Sequence, residues 1–178
     1  LASAFTAAAV LHGLFGSALI DFEAAQSITR GQSGSEASAM IYGEFFPNPG
    51  GRPLAESEAS IGLLRAFFVE AVGTCVLLLA ICGLTDPHNK GRSELLAPVG
   101  IGLTVTILIS LLAPLTQACF NPARDLGPRL FSSVAGWGGV PFSANGQGWW
   151  IVYILGPILG GLLGGFIHKF LLSPAYRR

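Results

Sequence analysis

From Leu95 to Phe120 the chain carries no charged residue. No other feature narrows its possible folds as much. A helix needs about 20 apolar residues to cross the hydrocarbon core of a bilayer, and this stretch is long enough. Three more stretches match it. Leu1–Ile20 is interrupted only by His12, Ala66–Leu84 holds Glu70 as its one charge, and Trp149–Ile167 ends at His168 and Lys169. The expected fold is an all-α membrane protein. Its crossings should fall at about residues 1–20, 63–84, 95–113 and 149–171, within a single domain spanning 1–178. Pro114 should end the third helix, because the residue before a proline avoids the helical region. Residues 114–120 then form an extended approach to Asn121.

Composition agrees. Charged residues make up 11% of the chain, against about 25% in soluble domains. Hydrophobic residues reach 51% and mean hydropathy is +0.60. The apolar excess must face lipid. Ten basic residues balance ten acidic ones, and no basic stripe is present, so no nucleic-acid partner is expected. Cys75, Cys82 and Cys119 form no CxxC pair, and His12, His88 and His168 have no metal-ligand spacing. Neither a disulfide framework, a metal nor a cofactor is expected. No nucleophile–base pair suggests an enzyme.

The connections set a direction. Segment 21–62 carries Asp21, Glu23, Glu36, Glu44, Glu56 and Glu58 against Arg30 and Arg52. The 85–94 loop holds Lys90 and Arg92, and the tail holds Lys169, Arg177 and Arg178. Lysine and arginine favour the cytoplasmic side, so the loop and the C-terminus should face the cytoplasm. Arg65 reads as an interfacial anchor. Four crossings keep this parity only if the segment between the third and fourth starts and ends outside.

That segment contains CFNPARDLGPRL, Cys119 to Leu130, with two arginines and an aspartate between two apolar spans. A helix over 121–134 would be about 20 Å long, too short to cross. It is expected to dip in and return. Asn121 is a preferred N-cap and Pro122 suits the first helical position. The start of such a helix carries about half a positive charge. Placed at mid-membrane it would donate to oxygen lone pairs and repel cations. Arg124 follows within the first turn. A lone charge at that depth costs about 2.5–3.5 kcal/mol, so it needs carbonyl partners, for which Thr116, Gln117, Ala118, Cys119 and Phe120 are the candidates. Such an arrangement reads as a pore constriction that serves neutral solutes and excludes cations.

The order NPAR, DLGPRLF, GWG and GPILGG resembles the second half of the major intrinsic proteins, the aquaporins and glycerol facilitators. DFE at Asp21–Glu23, PNP at Pro47–Pro49, FVEAVGT around Glu70 and LAP at Leu96–Pro98 look like the glycerol-facilitator branch. The resemblance implies an aquaporin-like bundle, homotetrameric, with one pore per subunit and two Asn-Pro-Ala motifs meeting in it. This sequence has one, Asn121–Pro122–Ala123. By analogy Leu1 falls within the third crossing, and the chain is a fragment lacking two crossings and the first half-helix. The resemblance also assigns the selectivity filter to Arg124, Ala118 and Ile109, the last an apolar wall where water channels place a histidine. It lets Glu70 hold the loop over Thr116–Phe120. Asp125 and Arg129 look like the glycerol branch, while Tyr153 and Ile154 lean toward nodulin-like members. Cys119 would be open to a mercurial.

The expected function is passive passage of glycerol, urea-like solutes and water down their gradients, in the plasma (inner) membrane. A metalloid-acid or water channel is the alternative, and a secondary transporter a weaker one. Gly156, Gly160 and Gly164, with Gly161 and Gly165, read as two stripes of close helix contact.

Overall fold

A computed structural model of the chain describes residues 1–56 and 61–177. Glu58 and Arg178, counted above in the acidic loop and the basic tail, lie outside the described residues. The helices in order are α1 (Ala2–Ala25), a short α2 (Glu36–Ala39), α3 (Leu63–Thr85), α4 (Ala97–Thr116), α5 (Pro122–Ser132), a short α6 (Val140–Ser143) and α7 (Gly148–Tyr176). No strand occurs among the described residues. By length and apolarity α1, α3, α4 and α7 can each cross a membrane.

Two helix ends differ from the sequence expectation for physical reasons. α1 continues past Ile20 through two charged positions, Asp21 and Glu23, because Glu23 turns inward and accepts from Arg30 Nε at 3.0 and 2.9 Å. The Arg30 guanidinium in turn lies 4.2 Å from the centre of the Trp137 ring. α4 runs through Pro114 to Thr116 instead of stopping before the proline. The connection between α1 and α3 satisfies the carbonyls around this turn. Asn48 Nδ2 donates to Ala113 O at 3.0 Å, and Gln117 N reaches the same oxygen at 2.9 Å. The helix stops where Gln117 takes the left-handed conformation, φ 61°.

α3 and α7 pack along one glycine stripe. A Cβ at Gly160 would overlap the Ala71 carbonyl, and one at Gly164 would lie 2.6 Å from Cys75 O. The second stripe is not a close contact, contrary to the sequence reading. Gly161 has ordinary room beside Leu78, and nothing stands within 4 Å of a Cβ at Gly165. α7 widens into five-residue turns over Ile151–Leu155 and His168–Leu172. The first of these directly precedes Pro157, whose ring and missing N–H disrupt a regular ladder. α5 lies against α1, where Gly127 meets Ala4 and the Leu1 carbonyl.

The two ends of the bundle are distinct. At one end Asp86, just past α3, faces His88 and the His168 ring of α7. At the other, the segment over residues 26–56 folds over the one between α5 and α7. Asn145 pairs there with both Phe46 N and Phe46 O, at 3.2 and 2.6 Å. Leu11, Leu14 and Phe15 of α1, Leu103, Ile107 and Leu111 of α4, and Leu162 and Phe166 of α7 are exposed. The outside of this bundle is therefore apolar while several charges are inside, the reverse of a water-soluble fold.

Candidate functional site

The site is built where α4 ends and α5 begins. Asn121 caps α5: its Oδ1 accepts from Ala123 N at 2.9 Å and Arg124 N at 3.3 Å, and Pro122 opens the helix. The Asn121 oxygen is committed to the helix, which turns its NH₂ outward. The α-helical part of α5 ends at Ser132, short of the expected 134, and passes into one wide turn over Ser133–Trp137. Its 11 residues span about 16 Å, half a bilayer core.

Between the two helices Gln117, Ala118 and Phe120 all have positive φ, at 61°, 54° and 56°. Non-glycine residues rarely adopt this region, so three in four positions require strong holding. Glu70 does much of it. This fully buried carboxylate on α3 accepts from Thr116 Oγ1 at 2.6 Å, Cys119 N at 3.0 Å and Phe120 N at 2.7 Å. The carbonyls of those same peptide units point the other way. Ala118 O accepts from Arg124 Nη2 at 3.1 Å and Cys119 O from Arg124 Nε at 3.3 Å. Two consecutive peptides thus stand between a carboxylate and a guanidinium, N–H toward one and C=O toward the other.

Arg124 remains about half exposed beside the helix start. Asp125 and Arg129, one turn apart on α5, are not exposed with it. They form a buried pair at 2.7 and 2.9 Å. Arg129 also donates to the carbonyls of Glu44 and Pro141, and Asp125 Oδ1 accepts from Glu44 N at 2.7 Å. These two residues fasten the Glu44 segment to α5. Tyr153 is fully buried and its hydroxyl donates to Thr116 O at 3.2 Å. The Thr116 carbonyl thus has one of its two lone pairs occupied inside the protein. Gln117 acts through its side chain, accepting from Phe45 N at 2.7 Å and donating to Met40 O at 3.1 Å.

Two expected filter positions are placed less simply. The Ala118 methyl is buried with Leu108 and Phe120, so this residue presents its carbonyl and not an apolar wall. The left-handed backbone directs the methyl inward. Ile109 lies outside that cluster and is 42% exposed. Ile154, next to the buried Tyr153, is half-buried. Cys119 is buried, with its Sγ against Asn121 O at 3.2 Å, which shields it from a bulky mercurial. Among the described residues no three His, Cys, Asp or Glu side chains gather to hold a metal.

Sequence reasoning missed Glu44. It sits in the connection after α1 among charges read only for the direction they set, yet its Oε1 is 2.8 Å from Arg124 Nη1 and its side chain is 6% exposed. The available signal was its company, Gly43 before it and Phe45, Phe46 and Pro47 after it, an apolar setting for a charge.

Comparison with known proteins adds the following. A glycerol uptake facilitator protein of Pseudomonas aeruginosa is 38% identical over 174 residues, covering 97% of this chain and 58% of the relative. The protein of the same name from Escherichia coli is 37% identical over 97% of the chain and 58% of its own length. Human aquaporin-9 is 32% identical over 96% of the chain and 52% of its length. The chain thus spans a little over half the length of these relatives. The fold is similar to the X-ray structure of the aquaglyceroporin from Plasmodium falciparum, with TM-score 0.75 at 22% identity, covering 97% of this chain and 61% of that one. A family model described as major intrinsic protein matches residues 1–168, and by that match, with the capped helix start and its neighbouring arginine in place, this chain belongs to the major intrinsic protein family.

Proposed function

We propose that the protein carrying this chain is a passive channel for small uncharged solutes, with glycerol first, then urea-like solutes and water. In this reading α1, α3, α4 and α7 cross the membrane and α5 is a re-entrant half-helix whose start lies near mid-bilayer. One observation supports it above the others: a half-exposed arginine, held by the Ala118 and Cys119 carbonyls, stands beside an asparagine-capped helix start in an otherwise apolar bundle. Arg124 and the Asn121 NH₂ donate to a passing hydroxyl, Ile109 faces its carbon skeleton, and the helix dipole with the guanidinium repels cations. The names of the relatives favour glycerol over the metalloid-acid alternative. The assembled protein is read as a homotetramer in the plasma membrane, with the 85–94 loop and the C-terminus cytoplasmic.

The test is osmotic re-swelling of proteoliposomes holding the full-length protein in a glycerol gradient. Glycerol entry well above that of empty vesicles, without any ion gradient, is expected. Glycerol entry at the empty-vesicle rate with fast water flow would overturn the glycerol assignment. Flux that requires a proton or sodium gradient would instead select a coupled transporter.

A further inference from the structure

The Glu44 segment delivers a carboxylate to the arginine from the side opposite its carbonyl anchors. We propose that Glu44 is a positioning residue of the passage: ionised, it holds the Arg124 guanidinium against the wall, and protonated, it lets the guanidinium lean into the path of a polyol. The proposal rests on the channel reading above.

The geometry makes Glu44 a mount and Arg124 the part that moves. Arg124 Nε and Nη2 are held by single carbonyls at 3.3 and 3.1 Å, while Nη1 is held by Glu44 Oε1 at 2.8 Å. Its one charged partner is thus on the Nη1 side. The Glu44 backbone cannot follow the arginine. Its N–H is on Asp125 Oδ1 at 2.7 Å, its carbonyl takes Arg129 Nη2, and the next N–H, of Phe45, is on Gln117 Oε1 at 2.7 Å. Gly43 packs its backbone against the Arg129 side chain.

The surroundings bring the switch near physiological pH. Glu44 is faced by Arg124, Asp125 and Arg129 of α5, Glu70 of α3, Cys119 of the connecting loop and Tyr153 of α7. Burial pushes its carboxyl up to about 8; Arg124 pulls it back, while Asp125 and Glu70 add to the rise. Above that pH the pair is ionised. Below it a proton cancels the carboxylate charge, and the Nη1 bond falls from charge-assisted to ordinary strength.

The experiment measures glycerol and water permeability of full-length protein in proteoliposomes at pH values on both sides of 8. Wild type should pass glycerol about fivefold faster on the alkaline side, the difference between a charge-assisted and a neutral hydrogen bond. Glu44→Gln should be flat with pH at the low value, and Glu44→Asp should keep a step. A Glu44→Gln protein that conducts with the wild-type step, or a wild type with none, overturns the proposal. Should wild type pass water but no glycerol, the glycerol reading fails on its own, and the same comparison is made on water flux: a step lost in Glu44→Gln supports the positioning role, a flat wild type ends it. Absence of both fluxes ends both readings.

Discussion

Replacing Glu70 by glutamine keeps the size of the side chain and removes one acceptor oxygen. In the structure Oε1 takes Thr116 Oγ1 and Cys119 N, and Oε2 takes Phe120 N. Whichever way the amide is turned, its NH₂ must face an N–H or a hydroxyl. If it replaces Oε2, the Phe120 N–H is left buried without an acceptor, at a cost of about 1–3 kcal/mol. The two remaining bonds lose their charge assistance, which is worth about 1 kcal/mol each. The sum, about 3–5 kcal/mol, is comparable with the strain that the three left-handed residues hold, each such conformation costing about 1–3 kcal/mol. The loop should relax, and with it the Ala118 and Cys119 carbonyls that hold Arg124. Stopped-flow glycerol uptake should fall by about tenfold or more, since about 1.4 kcal/mol at the narrowest point is a factor of ten. The detergent-solubilised protein should also unfold at lower temperature. Glu70→Asp keeps the charge at a shorter reach and should fall between. A Glu70→Gln protein with wild-type flux and wild-type melting would refute the reasoning, because the loop would then hold its shape without the carboxylate.

Arg124→Val removes the guanidinium from the helix start; about 4 kcal/mol of repulsion on a unit charge 4 Å away is lost at an effective dielectric near 20. Proton or cation leak should rise at least about tenfold in a voltage-clamp or dye-quench assay, and an unchanged leak would refute its excluding role. Gly160→Ala should lower the melting temperature by several degrees, since overpacking costs about 1–3 kcal/mol, whereas Gly165→Ala should barely move it. Equal shifts in the two would mean that α3 and α7 do not meet along the stripe described.

The contrast between those glycines also marks how far the sequence could be read. Both stripes have helical spacing, and spacing identifies a face without saying whether a neighbour stands on it. Only the face bearing Gly156, Gly160 and Gly164 meets α3 closely. The cap at Asn121 was legible because its chemistry closes within three residues. The four apolar helices were legible because lipid leaves a chain few options. Pro114 misled because the rule for residues before proline is local, while Asn48, far away in sequence, satisfies the carbonyls on that turn. The partner of Glu44 was illegible for the same reason, although apolar neighbours could have marked Glu44 itself as buried. Its meeting with Arg124 depends on how a long irregular connection folds over α5, and no periodicity records that. The direction of the Ala118 methyl follows from left-handed backbone that Glu70 enforces, so it too was hidden in a distant contact.

The two charges on either side of the 117–120 loop, buried Glu70 and half-exposed Arg124, have a common physical account. Neither is directly paired with the other. The peptide joining Ala118 to Cys119 gives its N–H to Glu70 and its C=O to Arg124, and the peptide joining Cys119 to Phe120 does the same. Each peptide unit carries a dipole of about 3.5 D. Here both dipoles lie with their positive ends on the carboxylate and their negative ends on the guanidinium. Cys119, the residue that joins them and not one of the left-handed three, turns these two successive peptides the same way, where an extended strand would alternate them. Each charge is thus solvated by backbone that the other charge helps to orient. Removing either therefore loosens the partner as well as deleting a group. An arginine beside the helix start is tolerated in this apolar setting because a buried glutamate on another helix has already aligned the carbonyls that receive it.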